Sequence, residues 1–241
     1  MMPEVAQLHS GFRFEADMAE PVVRWLRLRG LSVKSEFLLP WGVCDLVGVK
    51  FSPSKERLRM AYGQRRPVGS LFRLLLLSEI PDRQTGRSVR IGSLGKRMGG
   101  FSDDAISIEV GKLARAKFVI FPKAGFVQKL NGWAPLHKKV VAVELKLTRV
   151  SEVMSQAVAN REFATHSYVA LPMNLAARLV RSERRRMFTS EGLGLLGVSA
   201  VSCRELIVPK KAAAPGNGVI QMHVVERFWG SRGSSPSVAS Q

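Results

Sequence analysis

The chain has 241 residues, of which 46% are hydrophobic, so it can bury a sizeable core in one large or two small domains. Its 37 Lys and Arg against 19 Asp and Glu give a net charge of +18, which favours nucleic acid as a partner, although anionic membranes attract similar charge. No apolar run approaches the ~18–20 residues of a spanning helix, and no signal peptide or disulfide framework is indicated. We therefore expect a cytoplasmic protein without a membrane-embedded segment.

Two acids lie on apolar elements near the start of the chain. A predicted helix runs from Asp17 to Arg29 and ends at Gly30, which can adopt the left-handed conformation that stops a helix. Glu15 lies on the inward apolar stripe of this helix. The next apolar segment, Gly42 to Val49, predicts a short strand that carries one acid, Asp45.

A long basic insertion follows this strand. Residues 52–135 contain 16 Lys and Arg against 6 Asp and Glu, which is the footprint expected of a phosphate-binding surface. Its predicted elements are a helix from Val68 to Ile80, a short helix through Ile91 and Met98, a helix capped by Ser102, and a hairpin of residues 117–121 and 126–130.

Helix, helix, turn, helix and hairpin is the order of a winged helix-turn-helix domain, which this insertion resembles. The resemblance implies that the third helix enters the major groove and that the hairpin follows the backbone or minor groove. The basic residues expected to contact nucleic acid are Lys96, Arg97, Lys112, Arg115, Lys123 and Lys129. Two alternatives stay open: these charges are solvated on a small helical insertion, or the winged helix contacts another protein.

The segment from Val140 to Thr148 predicts a strand whose apolar residues cover one face. Glu144 and Lys146 lie two residues apart, so both point to the opposite face. A carboxylate and an ammonium in so apolar a strand are costly unless something pairs with them. A divalent metal and a phosphate would do so, which makes the strand a candidate for nuclease chemistry. The alternative is a surface-edge strand on which both side chains are solvated.

The remaining elements complete an α/β core. They are a helix from Ser151 to His166 with Gln156 and Asn160 one turn apart, a strand from Ser167 to Pro172, a basic helix from Leu175 to Phe188, and a closing strand pair within 193–208. From about Pro209 the composition is that of a linker. Val219 to Trp229 is apolar enough to dock on a domain, and residues 230–241 are expected to be disordered.

The order of acid-bearing helix, acid-bearing strand and Glu-x-Lys strand, followed by a helix and another strand, resembles the PD-(D/E)xK nuclease superfamily. The resemblance implies a restriction-endonuclease-like mixed sheet core interrupted by an inserted winged helix domain. We expect the nuclease-like core in residues 1–51 and 136–208, the insertion in 52–135, and a linker and partly disordered tail in 209–241. Cys44 stands where the motif's name has Pro.

The same resemblance implies the roles of individual residues. Asp45 and Glu144 would bind Mg²⁺ or Mn²⁺, since Mg²⁺ takes one or two carboxylates and keeps several waters. Lys146 would orient or deprotonate the attacking water or neutralise developing charge, and Glu15 would hold a metal-bound water or a second ion. Gln156 matches the helical Gln that follows Glu-x-Lys in many members.

These residues and their order are compatible with two functions. The first is a metal-dependent endonuclease that hydrolyses DNA, with RNA as the second partner to consider, targeted by the winged helix. Restriction-endonuclease-like enzymes often cut both strands as dimers, so a homodimer is compatible with this function. The second is a DNA-binding regulator on a nuclease-like scaffold that no longer cuts. The presence of Glu15, Asp45, Glu144 and Lys146 favours the enzyme, because a non-cutting scaffold has no physical need for closely spaced buried carboxylates.

Overall fold

The computed structural model describes residues 11–130, 135–212 and 216–232. The helices of this part of the chain are α1 (Ala19–Leu28), α2 (Pro53–Ala61), α3 (Leu71–Glu79), α4 (Ile91–Arg97), α5 (Asp103–Arg115), α6 (Val150–Ala159), α7 (Met173–Arg181), α8 (Arg185–Ser190) and α9 (Gly218–Arg232). The strands are β1 (Ser32–Leu39), β2 (Gly42–Phe51), β3 (Val89–Arg90), β4 (Val119–Ile120), β5 (Phe126–Lys129), β6 (His137–Leu145), β7 (His166–Pro172), β8 (Gly194–Val198) and β9 (Cys203–Ile207). Short 3₁₀ turns cover Glu15–Met18, Arg83–Thr85 and Asn160–Glu162.

The described residues form two compact units. The first unit comprises residues 11–50, 139–212 and 216, and the second comprises 51–130, 135–138 and 217–232. In the second unit the backbone N–H of Ser52 donates to the carbonyl of Leu136 (2.8 Å), which holds the two ends of the 51–138 segment together. Residues predicted as linker and tail contribute α9 to the second unit. Of residues 230–241, which were predicted to be disordered, residues 230–232 instead form the end of α9, and the rest lie outside the described residues.

The first unit is built on a six-stranded sheet in the order β1-β2-β6-β7-β8-β9. β1 and β2 form an antiparallel hairpin, β6, β7 and β8 are parallel, and β9 returns antiparallel to β8. The predicted α/β class with a mixed sheet is therefore confirmed. The parallel β6 and β7 are joined through α6, as parallel neighbours require a crossover connection.

α1 covers one face of this sheet. Met18, Val22 and Leu26 are completely buried there, as their helical spacing predicted. The helix ends at Leu28, and Gly30 two residues later has a φ of 76°, the left-handed conformation expected of a C-terminal stop. The N–H of Gly30 donates to the carbonyl of Arg27 (2.8 Å) and satisfies one of the last carbonyls of the helix.

The other face of the sheet is covered by α6, α7 and α8. Val153 and Ala157 of α6 pack in one core with Val169 and Leu171 of β7. The predicted basic helix of residues 175–188 is interrupted at Ser182, which is extended at φ −101° and ψ 167°. Its hydroxyl donates to the carbonyl of Leu179 (3.0 Å), the local side-chain contact by which serine competes with helical hydrogen bonds.

The second unit contains a small antiparallel sheet in the order β3-β5-β4. α3, α4 and α5 share a core with this sheet that includes Leu74, Leu94, Val110 and Val127. α5 begins as the sequence predicts, because the Ser102 hydroxyl accepts the N–H of Ala105 (3.3 Å) as an N-terminal cap.

A buried ion pair joins α2, near the start of the second unit, to α9 at its end. The guanidinium of Arg59 on α2 donates to both carboxylate oxygens of Glu226 on α9, one of these bonds being 2.8 Å long. The two residues are 4% and 3% exposed. The second oxygen of Glu226 also accepts the N–H of Val68 (2.8 Å), so this carboxylate is fully engaged by cationic and backbone donors.

Candidate active site

The candidate site forms at the end of β6, on the edge of this strand that faces β2. The N–H groups of Leu145 and Leu147 are two residues apart, so both point to the same edge of the strand. The Leu145 N–H donates to Asp45 Oδ2 (2.7 Å), and the Leu147 N–H donates to Glu15 Oε1 (3.3 Å). Between them the Lys146 N–H points the other way, to the carbonyl of Ala170 on β7 (3.1 Å).

These contacts explain why β6 ends at Leu145 rather than at Thr148, as the apolar pattern predicted. Beyond Leu145 the strand's edge is capped by the carboxylate of Glu15 instead of by another strand. Glu15 on the first 3₁₀ turn and Asp45 on β2 are far apart in sequence. At this edge their carboxylates accept the hydrogen bonds that the backbone carbonyls of a neighbouring strand would otherwise accept. The backbone holds both carboxylates beside Glu144 and Lys146.

A break in the β1–β2 hairpin frees Asp45 for this role. The hairpin pairs Ser35 with Leu46 and Phe37 with Cys44, and the intervening residue Glu36 has a φ of 49°. Leu46 packs on the α1 side of the sheet, whereas Cys44 contacts Asn160 at the end of α6. β2 therefore changes faces at Asp45. A non-glycine residue in this conformation costs roughly 1–3 kcal/mol, a strain that typically marks functional segments.

Glu144 is a buried carboxylate without a cationic partner among the described residues. It is 3% exposed, and its Oε1 accepts a hydrogen bond from Asn160 Nδ2 (2.5 Å). Burial raises the pKa of Glu144 to about 7; the charge of Asp45 acts in the same direction, and the Asn160 hydrogen bond opposes both. The neighbouring Cys44 is 1% exposed, and burial followed by the charge of Glu144 raises the pKa of its thiol well above the usual value. Cys44 is thus a small buried side chain with little thiolate character.

Lys146 lies on the same side of β6 as Glu144, as the strand period predicted. Its Nζ is 3.4 Å from Glu15 Oε2 and 3.6 Å from Glu152 Oε1. Its side chain is 18% exposed, whereas Glu15 and Glu152 are 41% and 46% exposed. The ammonium is therefore held at the border between the sheet and solvent.

Four of the five residues implied by the superfamily resemblance come together: Glu15, Asp45, Glu144 and Lys146. Gln156 differs, because it is exposed on α6, and Asn160 one turn later is the residue that contacts Glu144. Glu152 and Asn160 were not assigned a role from sequence. The helical spacing 152, 156, 160 could have indicated one face, but the 3₁₀ turn that begins at Asn160 decides which residue turns inward.

The site offers a limited donor set for a metal ion. Within residues 11–130, 135–212 and 216–232, no group of three or more His, Cys, Asp and Glu side chains is arranged to hold one. Asp45 and Glu144 supply hard carboxylate oxygens, and one oxygen of each, Asp45 Oδ2 and Glu144 Oε1, is engaged by a neutral N–H donor. A pair of carboxylates meets the requirement of Mg²⁺, which keeps several waters. The uncompensated burial of Glu144 fits a cation at this position.

The basic residues predicted to contact nucleic acid have different surroundings in the second unit. Lys96, Arg97, Arg115 and Lys123 are exposed. Lys112 is paired with Glu109 (2.5 Å), and Lys129 is 3.6 Å from Asp82 with only 13% of its side chain exposed. Lys123 lies over the ring of Phe126, 4.2 Å from its centroid. Lys129 is therefore the least available of the six for a phosphate.

No protein-family model matches the chain, and no curated protein matches it. One solved structure that does match is the SPO1766 protein of unknown function from Silicibacter pomeroyi. The alignment covers 92% of this chain and 88% of that chain at 12% identity and a TM-score of 0.42. A likeness at this level carries no argument about function. Separately, none of the helices in the described residues is long and apolar enough to cross a membrane.

Proposed function

We propose that this protein is a metal-dependent nuclease that hydrolyses phosphodiester bonds in DNA. The observation that carries the proposal is the convergence of Glu15, Asp45, Glu144 and Lys146 on one end of β6, with Glu144 buried beside a second carboxylate and without a cationic partner in the described part of the chain. A structural carboxylate in such a place would be destabilising, whereas a metal-binding carboxylate is stabilised when its ion is present.

Mg²⁺ or Mn²⁺ would be held by Asp45 and Glu144, and when bound it would polarise the phosphate and lower the pKa of water. Asn160 fixes the carboxylate of Glu144 through its 2.5 Å hydrogen bond, and the Leu145 N–H fixes that of Asp45. These second contacts orient the ligands in the manner expected of metal sites.

Lys146 would neutralise negative charge that develops on the phosphate or orient the attacking water. Its two carboxylate neighbours, Glu15 and Glu152, keep the Nζ at the mouth of the site and restrict its rotamers. Glu15 also accepts the Leu147 N–H, so its carboxylate connects the Lys146 ammonium to the backbone that follows β6. In this position Glu15 would hold a water close to the phosphate.

The second unit would provide nucleic-acid binding as an inserted winged helix. The order α3, β3, α4, α5, β4, β5 supports this, because two helices precede the helix that would enter the groove and the β4–β5 hairpin follows it. The exposed Lys96, Arg97, Arg115 and Lys123 would contact phosphates. A homodimer would allow both strands to be cut, and a monomer would nick one strand.

Cleavage of a panel of labelled duplex, single-stranded and branched DNAs and an RNA, with Mg²⁺, Mn²⁺ or a chelator, tests the proposal. We expect metal-dependent cutting that falls roughly 10²–10⁴-fold in Lys146→Ala, the range of a general acid–base or charge-stabilising group, and is lost in Asp45→Ala. Glu20→Gln is the matched control, because Glu20 is an exposed acid on α1 paired with Arg24. Metal-independent binding without cutting, unchanged in both site variants, would instead identify a non-cutting DNA-binding regulator.

A further inference from the structure

A basic cavity of 350 Å³ lies at the C-terminal end of α5 in the second unit. Four cationic side chains line it: Arg66, Arg73, Lys112 and Arg115. They come from three places, since Arg66 belongs to the segment before α3, Arg73 to α3, and the other two to α5. The negative end of the α5 dipole accounts for basic residues at the helix end itself, but not for arginines contributed by other segments.

One carboxylate, that of Glu109 on α5, orients two of these cations. Arg73 Nε donates to one oxygen of Glu109, and Lys112 Nζ donates to the other (2.5 Å). Arg73 Nη1 also donates to the carbonyl of Val68 (3.0 Å). Partial burial tends to raise the pKa of Glu109, but the hydrogen bonds from Lys112 and Arg73 outweigh it and lower the pKa.

The other two cations have no such partner. No hydrogen bond or ion pair to the side chain of Arg66 or Arg115 is formed within the described part of the chain, and both residues are exposed. Four cations therefore share one carboxylate around the cavity. Like charges at this density repel one another unless an anion lies between them.

The segment that presents Arg66 is rigidly anchored. The carbonyl of Arg66 accepts a hydrogen bond from Arg59 Nη2 (3.1 Å), and that of the preceding Arg65 accepts one from Trp229 Nε1 (2.9 Å). Arg59 is itself buried against Glu226. The backbone on which Arg66 is mounted is thus fixed before any ligand arrives, which lowers the entropy lost on binding.

We propose that this cavity binds a backbone phosphate of nucleic acid, with Arg66 and Arg115 as the binding groups and Glu109 as the group that positions Arg73 and Lys112. Guanidinium groups suit phosphate oxygens because they donate two parallel hydrogen bonds. The outer face of α5 is less suited, since Asp103, Asp104 and Ile108 are exposed there. The inference rests on the proposed function for the choice of nucleic acid as the ligand. It places the main phosphate contact at the C-terminal end of α5.

Binding of labelled 20-nucleotide duplex and single-stranded DNA to the full chain, measured by fluorescence anisotropy in a Lys146→Ala background to prevent cutting, tests the inference. We expect Arg66→Gln with Arg115→Gln to weaken binding at least tenfold. The slope of log K against log salt should become less negative by about 0.9, since that is the contribution of one lost phosphate contact. The matched control is Arg57→Gln with Arg83→Gln, which removes two exposed positive charges from the same unit and should change binding less than threefold.

Equal losses in the two double variants would overturn the inference, because net charge alone would then explain binding. So would unchanged binding in the cavity variant, or binding of a free nucleoside triphosphate there that nucleic acid does not displace. The cleavage assay tests the proposed nuclease activity separately. Cavity-dependent DNA binding without any metal-dependent cutting would support this inference and contradict the proposed nuclease activity.

Discussion

Glu144 in the first unit and Glu226 in the second are both 3% exposed, yet their surroundings are opposite. Glu226 receives a guanidinium and a backbone N–H, so its charge is compensated where it lies. Glu144 receives a neutral amide and has another carboxylate, Asp45, beside it. Equal burial therefore accompanies different surroundings: the carboxylate of Glu226 holds elements together through a cation, whereas that of Glu144 has no cationic partner among the described residues. Under the proposed function, a metal ion would supply the missing charge.

Removing one member of the compensated pair should have the largest effect on stability. Arg59→Met leaves Glu226 buried without its cation, which costs about 3–5 kcal/mol in comparable pairs. Urea denaturation followed by circular dichroism measures the loss. The double variant Arg59→Met with Glu226→Leu is the control and should recover most of it. If Arg59→Met were as stable as wild type, Glu226 would not depend on Arg59 for charge compensation. Its contrast with Glu144 would then be wrong.

The uncompensated carboxylate should make the first unit less stable as pH rises. An unfolded Glu titrates near ~4.3, and Glu144 in the folded protein has a pKa of about 7, so the folded state retains a proton that the unfolded state releases. Its contribution is complete below about pH 4 and is lost as pH rises through about 7, by roughly 4 kcal/mol in total.

Glu144→Gln should abolish this decline, because the amide does not titrate. Urea denaturation of wild type and variant at pH 5 and pH 8 measures the difference. Millimolar Mg²⁺ at pH 8 should restore stability to wild type but not to the variant. Parallel pH profiles of the two proteins would contradict the assignment of Glu144.

Replacing Asn160 should lower stability more than replacing Gln156, because Asn160 contacts Glu144 and Gln156 is exposed. Asn160→Ala removes the hydrogen bond to buried Glu144, at a cost of about 1–3 kcal/mol for an unsatisfied buried acceptor, and should raise the pH at which Glu144 titrates. Gln156→Ala changes an exposed side chain and should alter stability by less than about 0.5 kcal/mol. Cleavage rates and urea denaturation of both variants test this. Loss of cleavage in Gln156→Ala with normal cleavage in Asn160→Ala would restore the role implied by the superfamily resemblance.

A small effect is also expected at Glu152, the outer partner of Lys146. Its side chain is 46% exposed, and exposed ion pairs contribute about 0.2–1 kcal/mol at most. Glu152→Gln should therefore change the free energy of unfolding by less than about 1 kcal/mol. A double-mutant cycle with Lys146→Ala measures the coupling directly. A coupling energy between Glu152 and Lys146 above about 1 kcal/mol would contradict the proposed role of Lys146, because it would mean that this ion pair stabilises the fold.

Local patterns were sufficient for much of the first unit. The two-residue period of β6 correctly placed Val141, Val143 and Leu145 in one core and Glu144 on the other face. Helical spacing identified the buried stripe of α1, and Gly30 marked its end. These features depend on residues close in sequence, and side-chain direction follows from backbone period alone.

Long-range contacts decided what the patterns could not. The pairing of Arg59 with Glu226 joins residues 167 positions apart, and the basic cavity collects cationic side chains from three segments. α9 was predicted only as an apolar segment within a linker and tail, because its hydrophobic residues show no strong helical stripe and its helix is defined by what it packs against.

Glu15, Asp45, Glu144 and Lys146 could be identified from the sequence, because of the elements that carry them and the resemblance of their order to the PD-(D/E)xK motif. How they meet depends on contacts between distant segments. The tertiary structure turned β2 at Asp45, left two N–H groups of β6 for carboxylates, and chose Asn160 over Gln156. The reason is physical: strand period fixes the face on which a side chain lies, but only neighbouring strands and helices determine which hydrogen-bonding groups remain unpaired.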